Sequence, residues 1–153
     1  LYSGMAGGGD VILVPEIPYN IKNIGNTILE RLKKGKPYSI VVVAEGILTD
    51  GRKRAAEYIA QEIEYETGFE TRETVLGYLQ RGGTPTSFDR NLATLMGGYA
   101  AGLIANRQFG RMVALQGEAV TSIPLAEVAE KRKLVTPDHP LIVQGKRMGV
   151  CFG

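Results

Sequence analysis

Apolar residues come in short unbroken runs, and between the runs they recur at every third or fourth place, so strands and helices are expected in alternation. Residues 1–8 are small and apolar and read as the tail of a helix that ends in glycine. Asp10 opens Val11-Ile12-Leu13-Val14, a run of strand length that Pro15 stops. Such runs belong to strands buried on both faces, as in parallel sheets. From Ile21 to Lys34 the positions Ile21, Ile24, Ile28 and Leu32 have helical spacing, and Gly35 closes the helix. Tyr38 to Ala44 is the second buried strand, ended by Glu45-Gly46. A loop follows over Ile47 to Asp50. Arg54 to Glu66 then form an amphipathic helix with Ala55, Tyr58, Ile59, Glu62 and Ile63 near one face, terminated by Gly68. Thr74 to Gly77 reads as a third short buried strand.

After it comes a polar turn with Gly82 and Gly83, and then a long helix over Thr86 to Ala105. Thr84 or Thr86 is its N-cap, and Asp89 lies in its first turn. Its expected buried stripe is Leu92, Leu95, Met96, Tyr99 and Leu103. Met112 to Gln116 and Ala119 to Ile123, joined at Gly117-Glu118, predict a hairpin. Pro124 suits the first turn of a helix over Leu125 to Lys131, and Leu141-Ile142-Val143 predicts a short helix packed back onto the body. The order strand–helix–strand–helix–strand argues for right-handed βαβ units, and so for an α/β fold with a parallel sheet and flanking helices.

Parallel strands sort the polar residues by edge. Glu45, Tyr78, Gln80 and Arg81 follow strand carboxyl ends, the edge at which open parallel sheets bind ligands. Asp10, Lys34, Lys36 and Arg72 precede strands and share the other edge. Six residues of strand put about 20 Å between the two edges. Arg72 and Arg81 therefore do not grip one ligand within a subunit. If both bind phosphate, either there are two phosphate sites or Arg72 serves a neighbouring chain. The planar five-donor fork of arginine suits phosphate oxygens. Each residue also has an ordinary structural reading. Glu45 can be a capping or solvated carboxylate, Tyr78 a core aromatic, and Asp10 a turn cap. The Lys33-Lys34-Gly35-Lys36 cluster is what the helix dipole favours at a C-terminus, and His139 is read as surface.

Composition narrows the setting. With 153 residues, 44% of them hydrophobic, the chain is one domain or half of something larger. A net charge of +2 provides no bulk field toward nucleic acid or membrane. Cys151 is the lone cysteine, which excludes an internal disulfide and favours a reducing, cytoplasmic setting. No run approaches the ~18 apolar residues of a membrane helix, and no secretory signal is legible. The chain opens at Leu1 without an initiator Met, as expected of a stretch from a longer polypeptide. There is no nucleophile–base pair, no zinc spacing, and no Gly-rich loop opening a helix, because Gly7-Gly8-Gly9 leads into a strand.

The stretch Thr74-Val-Leu-Gly-Tyr-Leu-Gln-Arg-Gly-Gly-Thr-Pro-Thr-Ser-Phe-Asp-Arg90 closely resembles the 6-phosphofructokinase family. The likeness extends to residues 4–16, to Ile40-Val-Val-Val-Ala-Glu-Gly46 and to Glu66-Thr-Gly-Phe-Glu-Thr-Arg72, and so covers essentially the whole chain. It matches only the carboxyl-terminal half of that family. The phosphate loop, the segment with the catalytic base and a further substrate segment belong upstream. The resemblance implies a three-layer αβα, phosphofructokinase-like fold. Residues 1–80 with about 131–153 would form a substrate and effector lobe, and residues 81–130 would contribute to the nucleotide lobe.

The implied reaction is phosphoryl transfer from ATP, with Mg2+, to the 1-hydroxyl of fructose 6-phosphate, a glycolytic step. A diphosphate donor is the near variant. The residue matching Glu45 would bind sugar hydroxyls, and the one matching Arg81 the 6-phosphate. Tyr78 stands where the family usually has His; a phenol donates to phosphate but adds no positive charge near pH 7. The residue matching Arg72 would reach the 6-phosphate in the adjacent subunit of a homo-oligomer, a homotetramer in the family. Asp10, Lys34 and Lys36 match a bacterial allosteric site for a nucleotide such as ADP, with Asp10 holding the effector's magnesium. Asp10 replaces the usual Glu there, and Pro37 replaces a basic residue. With no base, this half alone is expected to be inactive. A stand-alone sugar-phosphate or nucleotide-binding module and a docking regulatory subunit are the competing readings.

Overall fold

The computed structural model describes residues 1–49, 51 and 54–153, so Asp50 at the end of the expected 47–50 loop lies outside the described residues. In chain order the elements are α1 (Tyr2–Ala6), β1 (Val11–Leu13), α2 (Ile21–Lys33), β2 (Val41–Val43) and α3 (Ala55–Thr67). A 3-10 turn (Leu79–Arg81) and α4 (Ser87–Ala105) follow, then β3 (Arg111–Gln116), β4 (Ala119–Pro124), α5 (Leu125–Val128) and α6 (Pro140–Arg147). The chain forms two compact units: Leu1–Val75 with Leu134–Gly153, and Leu76–Lys133.

β1 is the centre of the first unit. Its Val11, Ile12 and Leu13 pair in parallel with Val41, Val42 and Val43 of β2. Its other edge meets the end of the chain: the Ile12 N–H donates to the Cys151 carbonyl (2.8 Å), and the Cys151 N–H donates to the Asp10 carbonyl (2.9 Å). Because successive side chains of a strand point to opposite faces, β1 splits the core in two. Val11 and Leu13 pack with Ile24 of α2, Ile59 and Ile63 of α3, and Ile47. Ile12 and Val14 pack with Ile142 of α6 and Phe152, with Met5 of α1 against them. Helices thus cover both faces, the three-layer αβα arrangement. Ile24 and Ile142 are 0% exposed, and burying one such side chain contributes roughly 1.5–3 kcal/mol.

Local signals set the helix ends. Asn20 caps α2, its side-chain oxygen accepting from the Lys22 and Asn23 N–H groups. Gly35 follows α2 at φ 77 and Gly68 ends α3 at φ 72, a region L side chains rarely adopt. His139, expected to be a surface residue, is instead half-buried. It caps α6, its Nδ1 accepting from the Leu141 N–H, and its ring meets Tyr2 edge-on.

The third strand expected over Thr74 to Gly77 does not form. Val75 is 74% exposed and Leu76 45%, and the division between the units falls between them. Strand propensity expresses fit to a covered, pleated surface, and no such surface covers these two residues. The third parallel position is taken by Cys151, beside β1 rather than beside β2. The second strand is also shorter than the expected Tyr38–Ala44. Among the described residues β2 pairs only with β1, and its valines are half-buried rather than buried.

In the second unit α4 packs with the antiparallel hairpin β3–β4. Gly117 at φ 61 opens the two-residue turn between them, as such hairpins favour. The expected buried stripe of α4 is only partly realised. Leu103 is buried, Leu92 and Met96 are half-buried, and Leu95 and Tyr99 are exposed. One two-stranded hairpin cannot cover five turns of helix. α5 stops at Val128, short of the expected Lys131, and Glu130 follows with φ 64.

Candidate functional site

Glu45 follows β2 at the carboxyl edge of the sheet and is exposed. The loop it opens lies against the loop after β1: a Cβ added at Gly46 would stand 2.9 Å from Pro15 Cγ. Glu16, in that neighbouring loop, drew no attention in the sequence. Its Oε1 accepts from the Val135 N–H at 3.1 Å, tying down the chain one residue after it re-enters the first unit at Leu134. Its Oε2 is buried with no hydrogen-bond partner among the described residues. A glutamate between two prolines carries no local signal of this role, because the contact spans 119 positions.

Tyr78 and Arg81 belong to the second unit. One short turn holds both, the Arg81 N–H donating to the Tyr78 carbonyl at 3.1 Å and the Gln80 N–H to the Leu76 carbonyl at 3.0 Å. Tyr78 is 90% exposed and Arg81 is exposed beside it. Gly83, at φ 96, redirects the backbone toward α4. There Thr86 accepts from the Asp89 N–H while Asp89 accepts from the Thr86 N–H, a reciprocal capping box. The Thr86 hydroxyl, and after it the Thr86 backbone, hold the Asp89 carboxyl below its ordinary range. The turn is thereby attached to a helix with a well-defined start.

The amino edge of the first unit is the more connected. Asp10 Oδ1 meets Arg31 Nη2 at 2.7 Å, and Asp10 Oδ2 accepts from the Ile40 N–H at 2.8 Å. Arg31 Nε in turn donates to Ser39 Oγ at 3.2 Å. Arg31 and Ser39 were not picked out by sequence pattern, although one signal existed. A helix connecting parallel strands runs back along them, so the end of α2 returns to the edge where β1 begins. Lys34, at the C-cap of α2, is exposed. Lys36 and Arg72 line one groove of about 360 Å³ together with Tyr38, Ser39 and Glu70, over an apolar floor from β2 and α3. Arg72 pairs with Glu70 at 2.9 Å with both side chains largely in solvent, at 85% and 73% exposure, and such pairs hold weakly.

Of the sequence-derived residues, the first unit therefore holds Glu45 at one edge of its sheet and Asp10 with its α2 partner at the other. Lys36 and Arg72 meet in one groove, and Tyr78 and Arg81 share one turn. Among the described residues no group of three or more His, Cys, Asp or Glu side chains converges as a metal centre. No helix among them is long and apolar enough to cross a membrane.

Comparison with known proteins identifies the architecture. Residues 1–104 match the family described as Phosphofructokinase. ATP-dependent 6-phosphofructokinase 3 of Bacteroides thetaiotaomicron is 84% identical over 153 residues, which is all of this chain and 46% of that protein. ATP-dependent 6-phosphofructokinase of Spirochaeta thermophila is 49% identical, again over the whole chain and 46% of the relative. Among solved structures, the pyrophosphate-dependent phosphofructokinase of Nitrosospira multiformis superposes with a TM-score of 0.68. At 24% identity over 82% of this chain and 34% of that one, it is a likeness of fold. The chain spans about half the length of the curated relatives it matches. With its sequence matched from end to end and its αβα layers shared, the chain belongs to the phosphofructokinase family.

Proposed function

We propose that this chain is the carboxyl-side half of an ATP-dependent 6-phosphofructokinase, supplying the sugar-phosphate clamp for transfer of a phosphoryl group to the 1-hydroxyl of fructose 6-phosphate. The observation that carries this is the 84% identity, over all 153 residues, to a relative named for that activity. The geometry is compatible. Arg81 and Tyr78 stand on one solvent-facing turn, where a guanidinium and a phenol can donate to a phosphate. Glu45, exposed after a parallel strand, can accept from sugar hydroxyls. Arg72, in the groove with Lys36 and held by a weak pair with Glu70, can exchange that partner for a phosphate of an adjacent subunit. Lys34 and Lys36 offer positive charge to an anionic effector such as ADP.

Phosphoryl transfer depends on positioning and on neutralising charge rather than on covalent chemistry by the protein. Magnesium, arriving with ATP, would neutralise the transferring phosphate; this chain's side chains hold the sugar still. The base that deprotonates the 1-hydroxyl is assigned to the remaining length of the protein. We place the whole enzyme in the cytoplasm as a homo-oligomer.

The test is a kinase assay on the full-length protein with ATP and with diphosphate as donors, alongside calorimetric binding of fructose 6-phosphate. Turnover with ATP supports the reading. Turnover with diphosphate alone reassigns the donor. Sugar binding with neither donor active makes the chain part of a binding module, and absence of sugar binding removes the clamp.

A further inference from the structure

The family likeness puts an effector's magnesium at Asp10, and the structure gives that carboxylate other work. Both oxygens are engaged: Oδ1 with Arg31 Nη2 at 2.7 Å, and Oδ2 with the Ile40 N–H at 2.8 Å. The pair is sheltered, with Arg31 28% and Asp10 14% exposed. The guanidinium is oriented by its second bond, from Nε to Ser39 Oγ at 3.2 Å. Magnesium requires near-octahedral oxygen ligands at about 2.0–2.1 Å. A cation bound to Oδ1 at that distance would sit against the guanidinium, and like charges repel strongly where water is partly excluded. Among the described residues no group of three or more acidic, histidine or cysteine side chains converges there to share a cation. The donor set does not fit a divalent cation.

We propose that Arg31 is a built-in replacement for that cation. The positive charge that Asp10 would otherwise take from a metal comes from the end of α2. The Asp10–Arg31–Ser39 chain fastens α2 to the amino edge of β1 and to the residues leading into β2. An anion reaching Lys34 and Lys36 is then held by lysine charge alone, with no metal bridge to Asp10. The inference is independent of which phosphoryl donor the enzyme uses and of whether it turns over.

Two measurements on the full-length protein decide it. Manganese, used as a paramagnetic stand-in for magnesium, is titrated with and without ADP and counted by electron paramagnetic resonance in the wild type and in Asp10→Asn. The expected result is the same number of bound ions per chain in both; loss of one ion per chain in Asp10→Asn overturns the proposal. Thermal melting is then compared for Asp10→Asn, Arg31→Gln and the double variant. Each single variant should melt about 2–4 °C lower, the shift typical of one lost interaction in a domain of this size or larger. The double variant should melt no lower than the worse single one, because both remove the same bridge. Fully additive losses would show that the two residues act separately, and unchanged melting in both singles would show that the bridge is not formed.

Discussion

The roles proposed for Arg81 and Tyr78 rest on chemistry that one substitution at a time can isolate. Arg81→Ala in the full-length enzyme should raise the KM for fructose 6-phosphate about 10-fold or more with a smaller change in kcat, the loss of a charge-assisted phosphate contact; an unchanged KM rejects the assignment. Tyr78→His should introduce a pH dependence, because imidazole gains a positive charge below about pH 6.5. KM should then fall as pH drops through that range in the variant but not in the wild type, as steady-state kinetics from pH 5.5 to 8 would reveal. Asp89 carries a pH effect of its own. Its folded value is depressed by the Thr86 hydroxyl, the larger cause, and by the Thr86 N–H. The stabilisation is therefore complete above the ordinary carboxylate value of 3.8 and disappears as pH falls through the depressed folded value. Amide exchange in the first turn of α4 should accelerate over that interval, and Thr86→Ala should weaken the pH dependence, leaving the part set by the Thr86 N–H. A cap at Thr84 or Thr86 was legible from residue type, because the partner lies only a few positions away, and the structure selects Thr86. The Arg31–Asp10 bridge was not, because its partners come together only when α2 folds back along β1.

At the level of helices and strands, what was legible depended on whether the signal was local. α2, α3, the hairpin and the start of α4 lie where spacing, caps and glycines put them. The exposed flank of α4 and the unformed strand at Thr74 to Gly77 mark the other kind of position, where an apolar pattern is a demand for a covering surface. Leu95 at 61% exposure and Val75 at 74% are read as buried only if such a surface exists. Packing of α6 illustrates the reverse case, a contact that sequence does not announce. Gly145 lies on the helix face against Phe152 and Met5, and a Cβ there would stand 2.8 Å from Phe152 Cζ and 3.2 Å from the Met5 sulfur. Gly145→Ala should therefore destabilise the protein by about 1–3 kcal/mol, the usual cost of overpacking, despite alanine's better helix propensity. Urea unfolding would measure it, and a neutral or stabilising effect would mean that the Phe152 ring moves aside freely.

For the whole protein the proposal divides labour between this chain and the rest of an enzyme about twice its length. The 153-residue chain alone should show no detectable phosphoryl transfer to fructose 6-phosphate; measurable kcat from it would place the base within these residues. Arg72 tests the assembly. Mixed oligomers of an Arg72→Ala subunit and a subunit lacking the catalytic base should recover activity above either parent, because the Arg72→Ala subunit keeps its own base and receives Arg72 from its partner, which makes one complete site. No recovery would confine Arg72 to its own subunit. The amino-acid order by itself determined the α/β class, most helix boundaries, the hairpin and the family, because these follow from spacing within a few turns and from long specific motifs. Only the tertiary structure decided that Cys151 rather than Thr74–Gly77 flanks the central pair of strands, that Arg31 occupies Asp10, and which apolar residues stay exposed. Those outcomes depend on which distant surfaces meet, and hydrophobic spacing specifies that a face should be covered without specifying what covers it.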